Sequence, residues 1–150
     1  MKRYTQLPLT LYRIQARLPV SLRDQATQWS LGRRSFDLVL HDGKVRALPT
    51  TTDAFTTPNG MSPRPFGPKM AEILRQFRGS PLVYRLHEGT VLLDSLCVWH
   101  VHTDQWSMQT TVETSLHDFN QELTRLLESV PPQTREELFA EMEDKDNQDN

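Results

Sequence analysis

The stretch LCVWHVHTDQWSMQ, residues 96–109, decides the fold. It consists of two runs rich in β-branched and aromatic residues around Thr103-Asp104, and it predicts a β-hairpin. With a two-residue turn, His102 opposes Gln105, His100 opposes Ser107 and Val98 opposes Gln109. Val101 then faces Trp106, and Trp99 faces Met108, on the other side of the pair. That register predicts an apolar face of Trp, Val and Met and a polar face of His100, His102, Gln105, Ser107 and Gln109. Two histidines, two glutamines and a serine suit a cleft wall, and pattern alone suits an exposed sheet face equally well.

Helical patterns surround this hairpin. Ser115 with Asp118 resembles a capping box, and Leu116, Phe119, Leu123, Leu126, Leu127 and Val130 follow at helical spacing. Upstream, Pro68 stands at a natural first helical position, with Met70, Ile73, Leu74 and Phe77 on one apolar face and Gly79 as the stop. Residues 81–86 read as a strand and 87–90 as a turn. The Thr-, Pro-, Asn- and Gly-rich run 49–67 is longer than a simple connection and has the character of a functional loop.

Nearer the start, residues 7–14 read as a strand, and Ser21 as the cap of a short helix ended by Gly32. Residues 35–40 and 44–48 flank Asp42-Gly43, a strong hairpin signal because both positions tolerate positive φ. Beyond Pro131-Pro132 a last short helix is expected near residues 136–142, with fraying over 143–150. The expectation is an α+β fold: a split, mainly antiparallel sheet with three or four helices. Residues 1–130 form the domain, and 131–150 form an acidic, flexible tail.

Bulk properties bound the rest. The 150 residues fit one domain. No apolar run approaches the roughly 20 residues of a membrane helix, and residues 1–6 lack the apolar core of a secretory signal. A cytoplasmic protein is expected, and export would need a route without a signal peptide. The lone Cys97 excludes an internal disulfide and reads as a small buried hydrophobe. Charge is uneven: residues 131–150 hold seven acids and two bases, whereas the first 130 hold fifteen bases and twelve acids. That modest basic excess does not itself point to nucleic acid.

Three motifs carry candidate chemistry. In LTLYR, residues 9–13, Arg13 on a leucine-rich strand is either an anion clamp or a surface arginine. In PNGMSPRP, residues 58–65, prolines stiffen a loop that presents Ser62 and Arg64, a hydroxyl and a guanidinium suited to a phosphorylated ligand. The helix beginning at Pro68 would add its positive N-terminus. In HVHTDQWSMQ, His100, His102 and Asp104 have the residue types of a metal site, but no further ligand spacing supports one. There is no phosphate loop, dinucleotide fingerprint or nucleophile elbow.

With this order of motifs, residues 9–130 resemble a family of small cytotoxic effectors delivered by type VI secretion. Their fold is similar to that of ADP-ribosyltransferase toxins, and related domains occur in fungal proteins. The resemblance implies a toxin acting inside a target cell, NAD as the substrate, a macromolecular target and a cognate antitoxin or immunity protein. It implies that Arg13 grips NAD phosphate, that Ser62, with Arg64 beside it, supports the nicotinamide ribose, and that a late-strand acid polarises that ribose. The chain departs from the pattern at that acid: the hairpin has no Glu-x-Glu or Gln-x-Glu pair, leaving Gln109 or Glu113 as substitutes and His100 and His102 as further candidates. A neutral glutamine stabilises an oxocarbenium ion less than a carboxylate does. Two alternatives stand beside the transferase: a non-catalytic binding module that keeps the fold, and a metal-dependent hydrolase using His100 and His102.

Overall fold

The computed structural model describes residues 1–48 and 59–148. In chain order the elements are β1 (Lys2–Tyr4), β2 (Leu11–Gln15), α1 (Gln25–Ser30), β3 (Lys44–Val45), α2 (Pro68–Gln76), β4 (Leu82–Leu86), β5 (Leu96–His102), β6 (Gln105–Thr110), β7 (Thr114–Ser115), α3 (Leu116–Glu128), β8 (Pro132–Thr134) and α4 (Arg135–Gln148). The strands form separate antiparallel sheets in the orders β1-β5-β6, β2-β4-β8 and β3-β7. This is the split α+β arrangement that the sequence predicts. Pro49 to Pro58 of the long polar loop, including the first residue of PNGMSPRP, lie outside the described residues.

The main core lies where Val98, Trp106 and Met108 of the β5–β6 hairpin meet Phe119, Leu123 and Leu127 of α3. Ser115 caps α3 as expected, its Oγ accepting from the Asp118 N–H at 3.0 Å. A smaller core joins Tyr12 of β2 and Val83 of β4 to Met70 and Leu74 of α2 and Leu138 of α4.

The hairpin register differs from the expected one. His102 does oppose Gln105, but an irregularity between His100 and His102 adds a residue to β5. Beyond it the pairs are His100 with Trp106, Trp99 with Ser107, Val98 with Met108 and Cys97 with Gln109. Thr103 takes φ 48° at the turn. One extra residue moves every later side chain to the opposite face. Trp99 therefore shares a side with Ser107 and Gln109, and His100 joins the face of Trp106. The expected segregation into an apolar and a polar face does not occur: Trp99, Trp106, Ser107, Met108 and Gln109 are all buried.

Near the N-terminus the strand expected over 7–14 forms only from Leu11, as β2; β1 precedes it at Lys2–Tyr4, and Leu7 between them bonds to Thr90 and Gly89. The cap of α1 is Asp24, not Ser21, with Asp24 Oδ2 accepting from the Thr27 N–H at 3.0 Å. The Asp42-Gly43 turn forms, with φ 52° and 76°, and is closed by two backbone bonds between His41 and Lys44. Its arms do not continue as a ladder. β3 pairs with β7, while Asp37 and Leu38 bond back to Arg23 and Gln25.

The chain after Val130 packs against the elements before it. β8 adds to the edge of β4, and Leu138 of α4 is completely buried. Arg135 donates to the carbonyls of Leu74, Phe77 and Gly79 at 2.8, 2.9 and 2.6 Å, satisfying groups that α2 leaves open at its C-terminal end. Glu141 is held by Arg85 at 2.7 Å and accepts from Gln133 at 2.7 Å. Helical structure continues to Gln148, but residues 143–146 are exposed.

Leu138→Ala is expected to cost about 2–5 kcal/mol, as for a buried leucine leaving a cavity. Deleting 143–150 is expected to lower Tm by less than about 4 °C, on the order of 1 kcal/mol. Paired thermal melts check both. The hydrogen bond from Arg85, with that from Gln133, holds the Glu141 carboxyl down to about 2 from its ordinary 4.5. A carboxylate shifted downward contributes stability that is present above pH 4.5 and lost as pH falls toward 2. Glu141→Gln should therefore flatten the pH dependence of Tm across that window.

Candidate functional site

A short strap, residues 59–64, assembles the site. Met61 exchanges two backbone hydrogen bonds with Met108 of β6, at 3.0 and 2.7 Å. Arg64 exchanges two with Tyr12 of β2, at 2.7 and 3.0 Å. The Gly60 N–H donates to the carbonyl of Asp37 at 3.1 Å. The strap thus bonds to two sheets and to the segment after α1. Gly60 is required by close approach: a Cβ there would run into the Met108 carbonyl oxygen.

Beside the strap lies a cleft of about 370 Å³. β2 lines it with Tyr12, Arg13, Ile14 and Gln15, the strap with Ser62 and Arg64, and α2 with Met70 and Ile73; Phe77 follows α2. Ser21, Arg23 and Asp37 complete the polar wall. Three residues singled out in two separate motifs, Arg13 in one and Ser62 and Arg64 in the other, therefore share one cavity. From α2 the cleft takes Met70 of the first turn and Ile73 of the next.

The cleft is rich in guanidinium groups. Arg13 Nε donates to Gln15 Oε1 at 2.8 Å, and Nη1 reaches the Ser62 carbonyl at 3.4 Å. Gln15 is itself fixed through its amide to the Arg17 carbonyl at 3.0 Å. These contacts orient the guanidinium and leave further Nη donors for a ligand. Burial pushes the Arg13 group down to about 10, opposed by Asp37 and reinforced by Arg23. It remains charged at neutral pH. Arg64 pairs with Asp104 at 3.3 Å, which ties the hairpin turn to the cleft wall. Asp37 accepts from the Arg23 backbone at 2.7 Å and from its guanidinium at 3.2 and 3.3 Å. Arginines therefore outnumber carboxylates along the lining, and a mobile anion is the species that this wall accommodates best.

The hairpin candidates lie elsewhere. Gln109 is completely buried; its amide donates to Ser107 Oγ at 3.0 Å, and its Oε1 accepts from Asn59 at 3.5 Å. Asn59 also donates to the Arg46 carbonyl at 2.9 Å, so Gln109 sits behind the strap as part of its anchorage. His100 stacks on Trp106, with ring centroids 4.3 Å apart, and its Nε2 meets the Thr103 carbonyl at 2.8 Å. His102 is exposed near the turn. None of the three is among the residues lining this cleft. Among the described residues no three His, Cys, Asp or Glu side chains converge as a metal site, so the hydrolase alternative has no ligand set there. No helix among them is long and apolar enough to cross a membrane.

Arg23 and Asp37 are cleft residues that the sequence reading missed. They are fourteen positions apart in no recognisable motif; only the turn made around α1 brings them together.

Fold and cavity together define an α+β domain with a guanidinium-rich cleft beside a bridging strap. The model of the Tse2 ADP-ribosyltransferase toxin family matches residues 9–137, most of the chain, and the chain belongs to that family. Comparison with curated proteins and with solved structures gave no significant match. The family match extends past Val130 to include β8 and the start of α4.

Gly60→Ala should break the strap's contact with β6. Its expected cost is about 1–3 kcal/mol, as for overpacking against a structure that cannot relax freely. A denaturant titration measures the loss; an unchanged midpoint would show that the strap is not held by this approach.

Proposed function

We propose that the cleft binds NAD and that the chain is a toxin that transfers ADP-ribose inside a target cell. The single observation that carries this reading is the convergence of Arg13, Ser62 and Arg64 on one cavity, in a chain of an ADP-ribosyltransferase toxin family. A volume of about 370 Å³ is within the range of small-molecule pockets. NAD offers a pyrophosphate, which a fixed guanidinium recognises through paired donors, and ribose hydroxyls, which suit Ser62 and Gln15. In this reading Arg13 is the principal phosphate ligand, with Arg64 as a second cation. Gln109 acts indirectly, by anchoring the strap. His100 and His102 have no part in this cavity. A toxin of this type also calls for a neutralising immunity partner in the cell that makes it.

A second reading, binding without turnover, has one observation in its favour. Asp37 is the one carboxylate among the described residues lining the cleft, and Arg23 already engages both of its oxygens. A carboxylate so neutralised offers less stabilisation to a developing oxocarbenium ion. Release of nicotinamide from NAD by the purified protein separates the readings.

Arg13→Ala should weaken NAD binding by tenfold or more, because a hydrogen bond to a charged group contributes about 1.5–3 kcal/mol and each 1.4 kcal/mol is about tenfold. Arg13→Lys should recover only part, since an ammonium is a point charge and not a fork. Titration calorimetry with NAD, paired with a circular dichroism melt of each variant, makes the measurement. A folded Arg13→Ala variant that binds NAD as the wild type does would remove Arg13 from the site.

A further inference from the structure

The rim of the cleft has a feature that NAD binding does not use. Residues 24–36 form an excursion whose base is closed where its flanking residues line the cavity. The Asp37 N–H donates to the Arg23 carbonyl at 2.8 Å, the Gln25 N–H donates to the Leu38 carbonyl at 2.9 Å, and the Arg23–Asp37 ion pair locks the same junction. The excursion is internally ordered. Asp24 caps α1, Gly32 at φ 74° ends it, and the Arg33 N–H returns to the carbonyl of the buried Gln28 at 2.9 Å.

This ordered platform presents what a folded chain ordinarily hides. Trp29 and Leu31 are each 59% exposed, and Trp29 meets Phe36 edge-on at 6.3 Å. Arg33 and Arg34 beside them are exposed, and neither side chain has an ion pair or hydrogen bond among the described residues. Residues 13–46 hold seven Lys or Arg against three Asp, although the whole chain has a net charge of −2. Exposed large apolar side chains beside charged ones mark an interaction site, and tryptophan with arginine is the pairing enriched at energetic centres of protein interfaces. The exposed Leu31 beside Trp29 favours a protein acceptor, because an aliphatic side chain adds little to phosphate or base contacts and more to the apolar centre of a protein interface.

We propose that this rim is the docking surface for the macromolecule modified by the cleft, and that this acceptor is a protein presenting an apolar spot ringed by carboxylates. The inference rests on the NAD reading of the cleft. In the transfer, the bond between nicotinamide and ribose breaks with its electron pair leaving on nicotinamide. An acceptor side chain then bonds to the same ribose carbon and gives up a proton. A rim joined to the cleft by Arg23 and Asp37 holds such a side chain near that carbon. Because α1 and its return are already ordered, docking loses little conformational entropy on this side.

The test uses the full chain, NAD labelled in its ADP-ribose portion and a cytosolic extract of a sensitive cell. Trp29→Ala and the double variant Arg33→Ser, Arg34→Ser are compared with wild type in two assays. Nicotinamide release in buffer, with water as acceptor, should be unchanged in both variants. Protease-sensitive label on extract protein should fall about tenfold or more, the loss of one interface hot spot. Label that survives undiminished in both variants overturns the docking surface. Label removed by nuclease, or release without any label on protein, overturns the protein acceptor. Absence of nicotinamide release by wild type is a separate result, which removes the NAD reading itself.

Discussion

Residues 59–64 are bonded at one end to β6 through Met61 and at the other to β2 through Arg64, and the geometry of the cleft follows from that double attachment. The sheets β1-β5-β6 and β2-β4-β8 share no strand. Without the strap, Ser62 and Arg64 would have no fixed relation to Arg13. Its hold on β6 depends on Gly60, because only a residue without a Cβ lets the two backbones meet at Met108. The buried Asn59 and Gln109 secure the same end by side-chain hydrogen bonds. A buried polar pair of this kind is costly when half removed, which makes these residues sensitive without placing them in the cavity.

The electrostatics of the cleft express one unresolved demand. Arg13 is desolvated enough to depress its guanidinium to about 10, and its bonds run to a glutamine and a backbone carbonyl, neither of which bears charge. Asp37 offsets part of that cost but is chiefly committed to Arg23, and Asp104 is committed to Arg64. A bound anion would supply the missing counter-charge to donors that are already oriented. Little reorganisation then accompanies binding, the condition under which charge-assisted hydrogen bonds contribute most.

The C-terminal segment illustrates a different use of an arginine. Arg135 inserts among the carbonyls that end α2, while Leu138 fills the small core beneath Tyr12 and Val83. α2 also forms one wall of the cleft through Met70 and Ile73. The segment after Val130 therefore buttresses the cavity from behind; most of its acids among the described residues are exposed, whereas Glu141 turns inward to Arg85.

Local features were legible in the sequence alone. The helices over α2 and α3 follow from Pro68, from the Ser115 cap and from apolar spacing; the turns at Asp42-Gly43 and Thr103-Asp104 follow from residue types that tolerate tight geometry. The Arg13, Ser62 and Arg64 motifs could be read as anion ligands because their chemistry is local too. What only the tertiary structure decided is where those pieces meet. A single inserted residue in β5 moved His100 to the face of Trp106, and packing behind the strap buried Gln109. The Arg23–Asp37 junction and the docking of Leu138 depend on contacts between distant segments, and no periodicity encodes such contacts. Spacing along a chain specifies which side chains share a face of one element; which faces oppose each other is set by packing between elements, and here by a strap that bonds to two sheets at once.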